Sequence, residues 1–302
     1  MIELLGFSRA EGGFGARNHL FVVPSVVCAT RVAEQVAARS DAVTLVHQHG
    51  CGHIGDDVSR AEDAFVGVAA NANVGAAVVI SLGCETVQGR RVASRLAECR
   101  SRVELVGIQA AGGTTRAAAA AGFAAEALRQ ELAIDRRSAA PFDGLTLGLA
   151  VSRPSTQVKA LVARARSAGA RVLIAQEDTV DVASRGATCV GFGRRPSSSL
   201  ATVSSPGTGA QLHVSLAAGG AQVIVAFPAE EQPTMGFPIC PVIGVASTSR
   251  LHGALRSEFD LGPDAGSAEL WQTVLHVYNG EQCKAEARGS CEFALPRLRR
   301  TM

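Results

Sequence analysis

The strongest constraint on the fold is a repeated alternation in the first half of the chain. Short apolar runs at Leu20–Val27, Ala42–His47, Ala76–Leu82 and Val103–Ile108 take turns with Ala/Arg-rich stretches at Thr30–Ala38, Arg60–Ala70, Gln88–Cys99 and Thr115–Leu132. Runs of strand length separated by helical segments and short loops imply right-handed crossovers and a mostly parallel sheet. The second half repeats the pattern more loosely. Strands are expected at Leu145–Val151, Arg171–Ala175, Gln222–Phe227 and Val242–Ala246, and helices at Ser155–Ser167, Thr208–Ala218 and Ala268–Asn279. The fold class is therefore α/β, with mostly parallel sheets flanked by helices in two Rossmann-like halves.

Two stretches interrupt the rhythm. Residues 134–143, with Asp135-Arg136-Arg137-Ser138 and Pro141, read as a linker, which divides the chain into domains 1–138 and 139–302. Residues 191–209, rich in Ser, Pro, Gly and Arg, read as a mobile loop. The basic Arg297-Leu298-Arg299-Arg300 reads as a solvated tail.

Composition removes several function classes. The chain has 302 residues, ample apolar material at 47%, and only 4% aromatics, which suits close helix-on-sheet packing. A net charge of +2 without a Lys/Arg run interleaved with aromatics argues against a nucleic-acid partner. No signal peptide opens the chain and no apolar run reaches membrane-spanning length, so neither export nor a membrane is expected. Eight cysteines occur without a CxxC pair and read as free thiols in a reducing cytoplasm.

In an open parallel sheet, ligands bind beyond the carboxyl ends of the strands. Four strands in succession end in unusual residues here: Cys28, then His47-Gln48-His49-Gly50-Cys51-Gly52-His53, then Gly83-Cys84-Glu85, then Gln109-Ala110-Ala111-Gly112-Gly113-Thr114. If the second segment is extended, His47, His49, Cys51 and His53 share one face and could ligate a metal. Alternatively, its glycines bend it and the imidazoles bond backbone groups. Cys84 stands at a strand-to-helix turn, where a helix dipole would activate it as ligand or nucleophile; an inert buried thiol is the other reading. Glu85 could serve as a base, a metal-bound carboxylate or an N-terminal helix charge. Gly112, Gly113 and Thr114 ahead of a long helix could cradle an anion or simply cap that helix. Cys99 reads as a packing residue, and Cys28 as either packing or a further thiolate.

The ordered motifs resemble the altronate/galactarate dehydratase family, which also includes sulfolactate sulfo-lyases. The resemblance runs through Gly15-Ala16-Arg17-Asn18-His19, Pro24-Ser25-Val26-Val27-Cys28, His49-Gly50-Cys51-Gly52 with Gly55-Asp56-Asp57, Asn73-Val74-Gly75-Ala76, Leu82-Gly83-Cys84-Glu85 and Gln109 with Gly112-Gly113. Pro241–Ala246, Glu286 and Glu292-Phe293 look like the closing blocks. It implies a lyase that eliminates water, or a related leaving group, from a hydroxy carboxylate with the help of a divalent metal, iron above all. A mononuclear ion and an iron–sulfur cluster on Cys28, Cys51 and Cys84 are both compatible with it. The resemblance makes Arg17 the substrate carboxylate's partner, with Asn18, Gln109, Gly112, Gly113 and Thr114 beside the substrate. His47, His49, Cys51 and Cys84 become the metal set, and His49, His53, Cys84 and Glu85 the acid/base set. A small N-terminal-type domain on a separate polypeptide is implied as a partner, and a homo-oligomer is expected. Where the family carries C-G-G-S-D, this chain reads Ser152-Arg153-Pro154-Ser155, so Arg153 and Ser155 are expected to bind the anion instead. A catalytically silent ligand-binding relative and a Cys84-dependent hydrolase or transferase are the alternatives.

Overall fold

A computed structural model describes residues 2–178, 180, 186–204, 207–229 and 231–296. The chain opens with β1 (Leu4–Ser8) and β2 (Phe14–Gly15), an antiparallel pair. Next comes β3 (His19–Pro24), then α1 (Thr30–Ser40), β4 (Val43–Thr44), α2 (Asp56–Ala69), β5 (Val74–Ser81), α3 (Gly89–Ala97), β6 (Val103–Gly107) and α4 (Thr114–Leu132). The strands from β3 to β6 form a parallel sheet in the order β4-β3-β5-β6. The chain reverses its direction of travel across this sheet between β3 and β5, which opens a crevice beyond their carboxyl ends.

Residues 134–143 are more than a linker. β7 (Arg137–Ala140) lies within them and pairs antiparallel with β1, giving a small third sheet, β2-β1-β7. Both β1 and β7 are too short to announce themselves by period, and their pairing joins residues 130 to 136 positions apart.

The second half contains β8 (Thr146–Val151), α5 (Thr156–Ser167), β9 (Arg171–Gln176), β10 (Thr188–Val190), β11 (Leu200–Val203), α6 (Ala210–Ala218), β12 (Val223–Phe227) and β13 (Val242–Gly244). It closes with α7 (Ser249–Ala254), α8 (Ser267–Tyr278) and α9 (Lys284–Ala287). Its six parallel strands run β10-β11-β9-β8-β12-β13, and the direction of travel reverses between β8 and β12. Strand β11 falls inside the stretch expected to be a mobile loop, and it hydrogen-bonds to β9. Ser205 and Pro206 of that stretch, and the basic 297–300 tail, lie outside the described residues. Among the described residues no helix is long and apolar enough to cross a membrane.

Each of the two parallel sheets is covered on both faces, as continuous apolar strands require. Val22 and Ile80 of the first sheet pack against Val36 of α1 and Leu128 of α4. Leu149 and Val225 of the second pack against Leu161 of α5 and Leu275 of α8. Between the sheets lies a shared core that contains Phe21 and Val23 of β3, Phe65 of α2, Leu212 of α6 and Leu173 of β9. Two fully buried asparagines fix the register of this join. Asn71 Nδ2 donates to the carbonyls of Ala217 (2.8 Å) and Ala221 (2.9 Å), and Asn73 Nδ2 to those of Gln222 (2.8 Å) and Ile239 (2.9 Å). These contacts join the amino end of β5 to the amino end of β12, so the carboxyl edges of both sheets share one side of the molecule.

Candidate functional site

The four loops expected to converge do so at the carboxyl edge of the first sheet. Val27 N–H donates to the His49 carbonyl and Val87 N–H to the Gly50 carbonyl, both at 2.9 Å, which ties the loops after β3, β4 and β5 together. Gly83 lies so close to Gln109 that a Cβ there would stand 2.3 Å from Gln109 Oε1. Gly112 and Gly113 have φ of +81° and +120° and lead directly into α4 at Thr114. The geometry needed for an anion cradle is therefore present, with Gln109 and Thr114 exposed beside it.

The histidine segment does not have the extended geometry that would put four ligands on one face. Gly50 and Gly52 have φ of +97° and +69°, which breaks the two-residue alternation. His47, His49 and His53 turn inward and are buried, while Cys51 is exposed. The three rings form a row, with centroids 5.8 Å apart from His47 to His49 and 5.7 Å from His49 to His53. His47 bonds the Pro24 carbonyl through Nε2 at 2.8 Å and accepts the His49 N–H at Nδ1 at 3.1 Å, so both its nitrogens are engaged. Burial pushes its pKa down to about 4, and the Pro24 bond only partly offsets this, so the ring is neutral at pH 7. His49 Nε2 accepts the Leu295 N–H at 3.2 Å.

Among the described residues no three His, Cys, Asp or Glu side chains are placed to hold a metal ion. The proposed set of His47, His49, Cys51 and Cys84 is split between buried imidazoles and exposed thiols. His47 would have to break two hydrogen bonds to ligate an ion. As placed, His47, His49, Cys51 and Cys84 do not form one set of ligands for a divalent ion.

Glu85 fills the crevice between β3 and β5. Its Oε1 accepts from Ser25 Oγ (3.1 Å) and Gly89 N–H (3.2 Å), and its Oε2 from Gly83 N–H (2.5 Å). Burial would raise its pKa, but the backbone donors and Ser25 outweigh burial and hold the carboxyl below its ordinary value. An ionised carboxylate tied this way caps the turn before α3 and is a poor proton acceptor. Cys84 is exposed, and α3 begins five residues later at Gly89. The helix dipole therefore acts on Glu85, not on the thiol.

Arg17 and Asn18 sit at the opposite edge, before β3 starts. All five guanidinium donors of Arg17 are used: two pair with Glu286 (2.9 and 2.8 Å) and the others reach the carbonyls of Ala16, Val277 and Glu281. Asn18 is held by Arg9, Leu132 and Asp135. Neither can hold a substrate at the converging loops, and the reason is topological. Arg153 and Ser155 follow β8 in the second sheet. Arg153 Nη2 donates to the carbonyls of Val245 and Ala246, and Ser155 caps α5 by accepting from Gln157 N–H.

Glu292-Phe293, read in the sequence as part of a closing block but given no role at the site, belongs to a segment, 292–295, that closes over the histidines. Phe293 stacks on Phe65 at 5.9 Å and tilts against His47 at 5.7 Å. With Thr30, His49 and Glu292 it lines a groove of about 560 Å³. Apart from that motif, its sequence signal is an apolar Phe-Ala-Leu run. Ser25 was quoted only as part of the Pro24–Cys28 motif and given no role of its own, because a lone serine after a strand does not announce its partner.

Comparisons with known proteins find matches for both halves of the chain. Residues 6–133 match the family described as D-galactarate dehydratase/Altronate hydrolase, second domain, and residues 164–301 match D-galactarate/Altronate dehydratase, C-terminal. Altronate dehydratase of Bacillus subtilis (strain 168) is 31% identical over 102 residues, covering 30% of this chain and 20% of that protein. Altronate dehydratase of Escherichia coli (strain K12) is 34% identical over 97 residues, covering 28% and 20%. Each match thus spans about a fifth of the curated relative's length. Among solved structures, D-2-hydroxyisocaproate dehydrogenase aligns over 80% of this chain and 76% of its own, at 12% identity and a TM-score of 0.22, too slight a likeness to bear on function.

Proposed function

The chain belongs to the D-galactarate dehydratase/altronate hydrolase family, and on that premise we propose that it is a cytoplasmic lyase that eliminates water from a sugar-acid-like hydroxy carboxylate. The observation that carries the proposal is the convergence of the Cys28, His49–Cys51, Cys84 and Gln109–Thr114 loops on one sheet edge within a chain of this family. Its eight cysteines are all free, as a reducing compartment favours.

The substrate carboxylate would lie at the start of α4, against the backbone of Gly112 to Thr114 and the Gln109 amide, where the helix dipole favours an anion. One group must take the α-proton and another must protonate the departing β-hydroxyl. We assign these proton transfers to His49 and Cys84, with His53 beside them. Glu85 acts as a positioning residue, since its carboxylate is committed to Ser25, Gly83 and Gly89.

The test is direct. Altronate or galactarate is incubated with purified protein in D2O, with and without added ferrous or manganous ion, and the products are followed by NMR. Elimination gives an enol that ketonises to a 2-keto-3-deoxy acid carrying one solvent deuterium at C3. Cys84→Ser and His49→Ala should each slow this by about 10²–10⁴-fold, the usual contribution of a positioned acid or base. A second reading, a silent relative that only binds the sugar acid, draws on Glu85, which fills the crevice between β3 and β5. Saturable binding with no keto acid under any metal condition would establish that reading and sink the lyase.

A further inference from the structure

The outer face of a surface helix is normally polar, and α4 departs from that rule. Its row Arg116, Ala120, Phe123, Ala127 and Glu131 follows the three- and four-residue spacing of one helix face, and every member is exposed. Charge is confined to the two ends of the row. Phe123 stands at its middle, 80% exposed, and Ile134 stands just past the helix, 74% exposed. Among the described residues these are the two most exposed large apolar side chains. Apolar surface left in water in this way marks a contact face.

The strand beside this row is open as well. Among the described residues β6 pairs with β5 alone and forms the outer edge of the first sheet, with Glu104 and Leu105 exposed. Glu131, a member of the row, reaches Arg102 at the foot of β6 at 3.2 Å, and Asp135 reaches it at 2.9 Å. Arg129 points the other way, to Ser40 and Asp41 at the end of α1. The apolar row therefore turns towards the free edge of β6, and the two belong to one side of the molecule. An unpaired edge strand is a template for pairing with another chain.

We propose that this side is a homodimer interface, on which two copies meet about a two-fold axis with their α4 helices antiparallel. The row is its own complement when reversed. Arg116 then meets Glu131 of the second copy, Ala120 meets Ala127, and Phe123 packs at the axis against Phe123 and Ala124 of its mate. The charges at both ends are available. Arg116 has no hydrogen bond or ion pair among the described residues, and Glu131, over half exposed, uses one oxygen on Arg102. A parallel arrangement would set Arg116 against Arg116 and Glu131 against Glu131, so charge selects the antiparallel one. Alanines at 120 and 127 let the two helices approach closely. The same axis turns β6 antiparallel to its mate and covers Leu105. A second copy fits better than an unrelated partner, because this one surface supplies both members of each charge pair. The interface does not depend on the lyase reading.

Sedimentation of the full chain over a range of concentrations tests the proposal. The parent chain should run as a reversible dimer. Phe123→Glu, at a position that packs on nothing in the single chain, should leave the melting temperature close to the parent's and weaken dimerisation at least tenfold. Arg116→Glu and Glu131→Arg should each weaken it at least tenfold as well. An equimolar mixture of these two variants should dimerise like the parent, since only the mixed pair sets opposite charges together at both ends. Melting curves confirm that each variant is folded before its association is read. The proposal is overturned if the parent chain is monomeric, if folded Phe123→Glu dimerises as tightly as the parent, or if the mixture associates no better than either variant alone.

Discussion

Arg17 and Glu85 each carry a charge into the interior, and each is surrounded by partners from the chain itself. The Arg17 guanidinium spans Ala16, Val277, Glu281 and Glu286, tying the entry to β3 to the end of the molecule. Arg17→Ala leaves Glu286 without its cation, and breaking a buried pair of this kind costs about 3–5 kcal/mol. Glu286 keeps a fifth of its side chain exposed, so the lower end is expected in urea unfolding. A raised KM with unchanged stability would instead restore Arg17 as a substrate contact. For Glu85→Gln, loss of charge-assisted hydrogen bonds should cost about 1.5–3 kcal/mol at neutral pH. The folded-state pKa of Glu85 is depressed, so its contribution is present above the ordinary carboxylate pKa, about 4.3. It is lost as pH falls through the folded value. The two unfolding curves should therefore converge in acid.

At the scale of elements, the sequence made most of the architecture legible. Apolar runs such as Val74–Ser81 and amphipathic stretches such as Thr30–Ser40 declare themselves by period. What escaped was short or polar. Strand β7 is four residues of Arg-Ser-Ala-Ala, and β11 is Leu-Ala-Thr-Val inside a Ser- and Gly-rich stretch. Candidate-site loops were legible as a group, since topology alone brings strand ends together. Side-chain direction was not, because it turns on the two glycines of the histidine segment. Gly50 is the tighter: an added Cβ would stand 2.2 Å from the Ser25 carbonyl at a φ of +97°. Gly50→Ala should thus cost roughly 1–3 kcal/mol or more and disturb the loop. Gly122, within α4, is the opposite case, with nothing within 4 Å of an added Cβ. Gly122→Ala should stabilise the protein by about 0.5–1 kcal/mol, measured as a rise in the urea midpoint at unchanged slope.

For the molecule as a whole, the join between the sheets sets acid behaviour as well as register. His19, His47 and His213 all have pKa values pushed down to about 4 by burial, the first with added repulsion from Arg17. Unfolding returns each to about 6.5, so the unfolded chain binds more protons between these values. Stability contributed by keeping the three rings neutral is present above pH 6.5 and lost as pH falls towards 4. The urea midpoint should decline across that window, and a flat profile would mean that the rings are not buried together with the core. Thiol alkylation in the presence and absence of altronate or galactarate shows which edge of the molecule meets the sugar acid. Cys28, Cys51 and Cys84 belong to the converging loops, while Cys99 follows α3 towards the opposite edge and Cys189 lies in β10. The sugar acid should slow iodoacetamide labelling of Cys51 and Cys84 several-fold and leave Cys99 and Cys189 unchanged. Equal labelling of all five thiols with and without a sugar acid that demonstrably binds would contradict it.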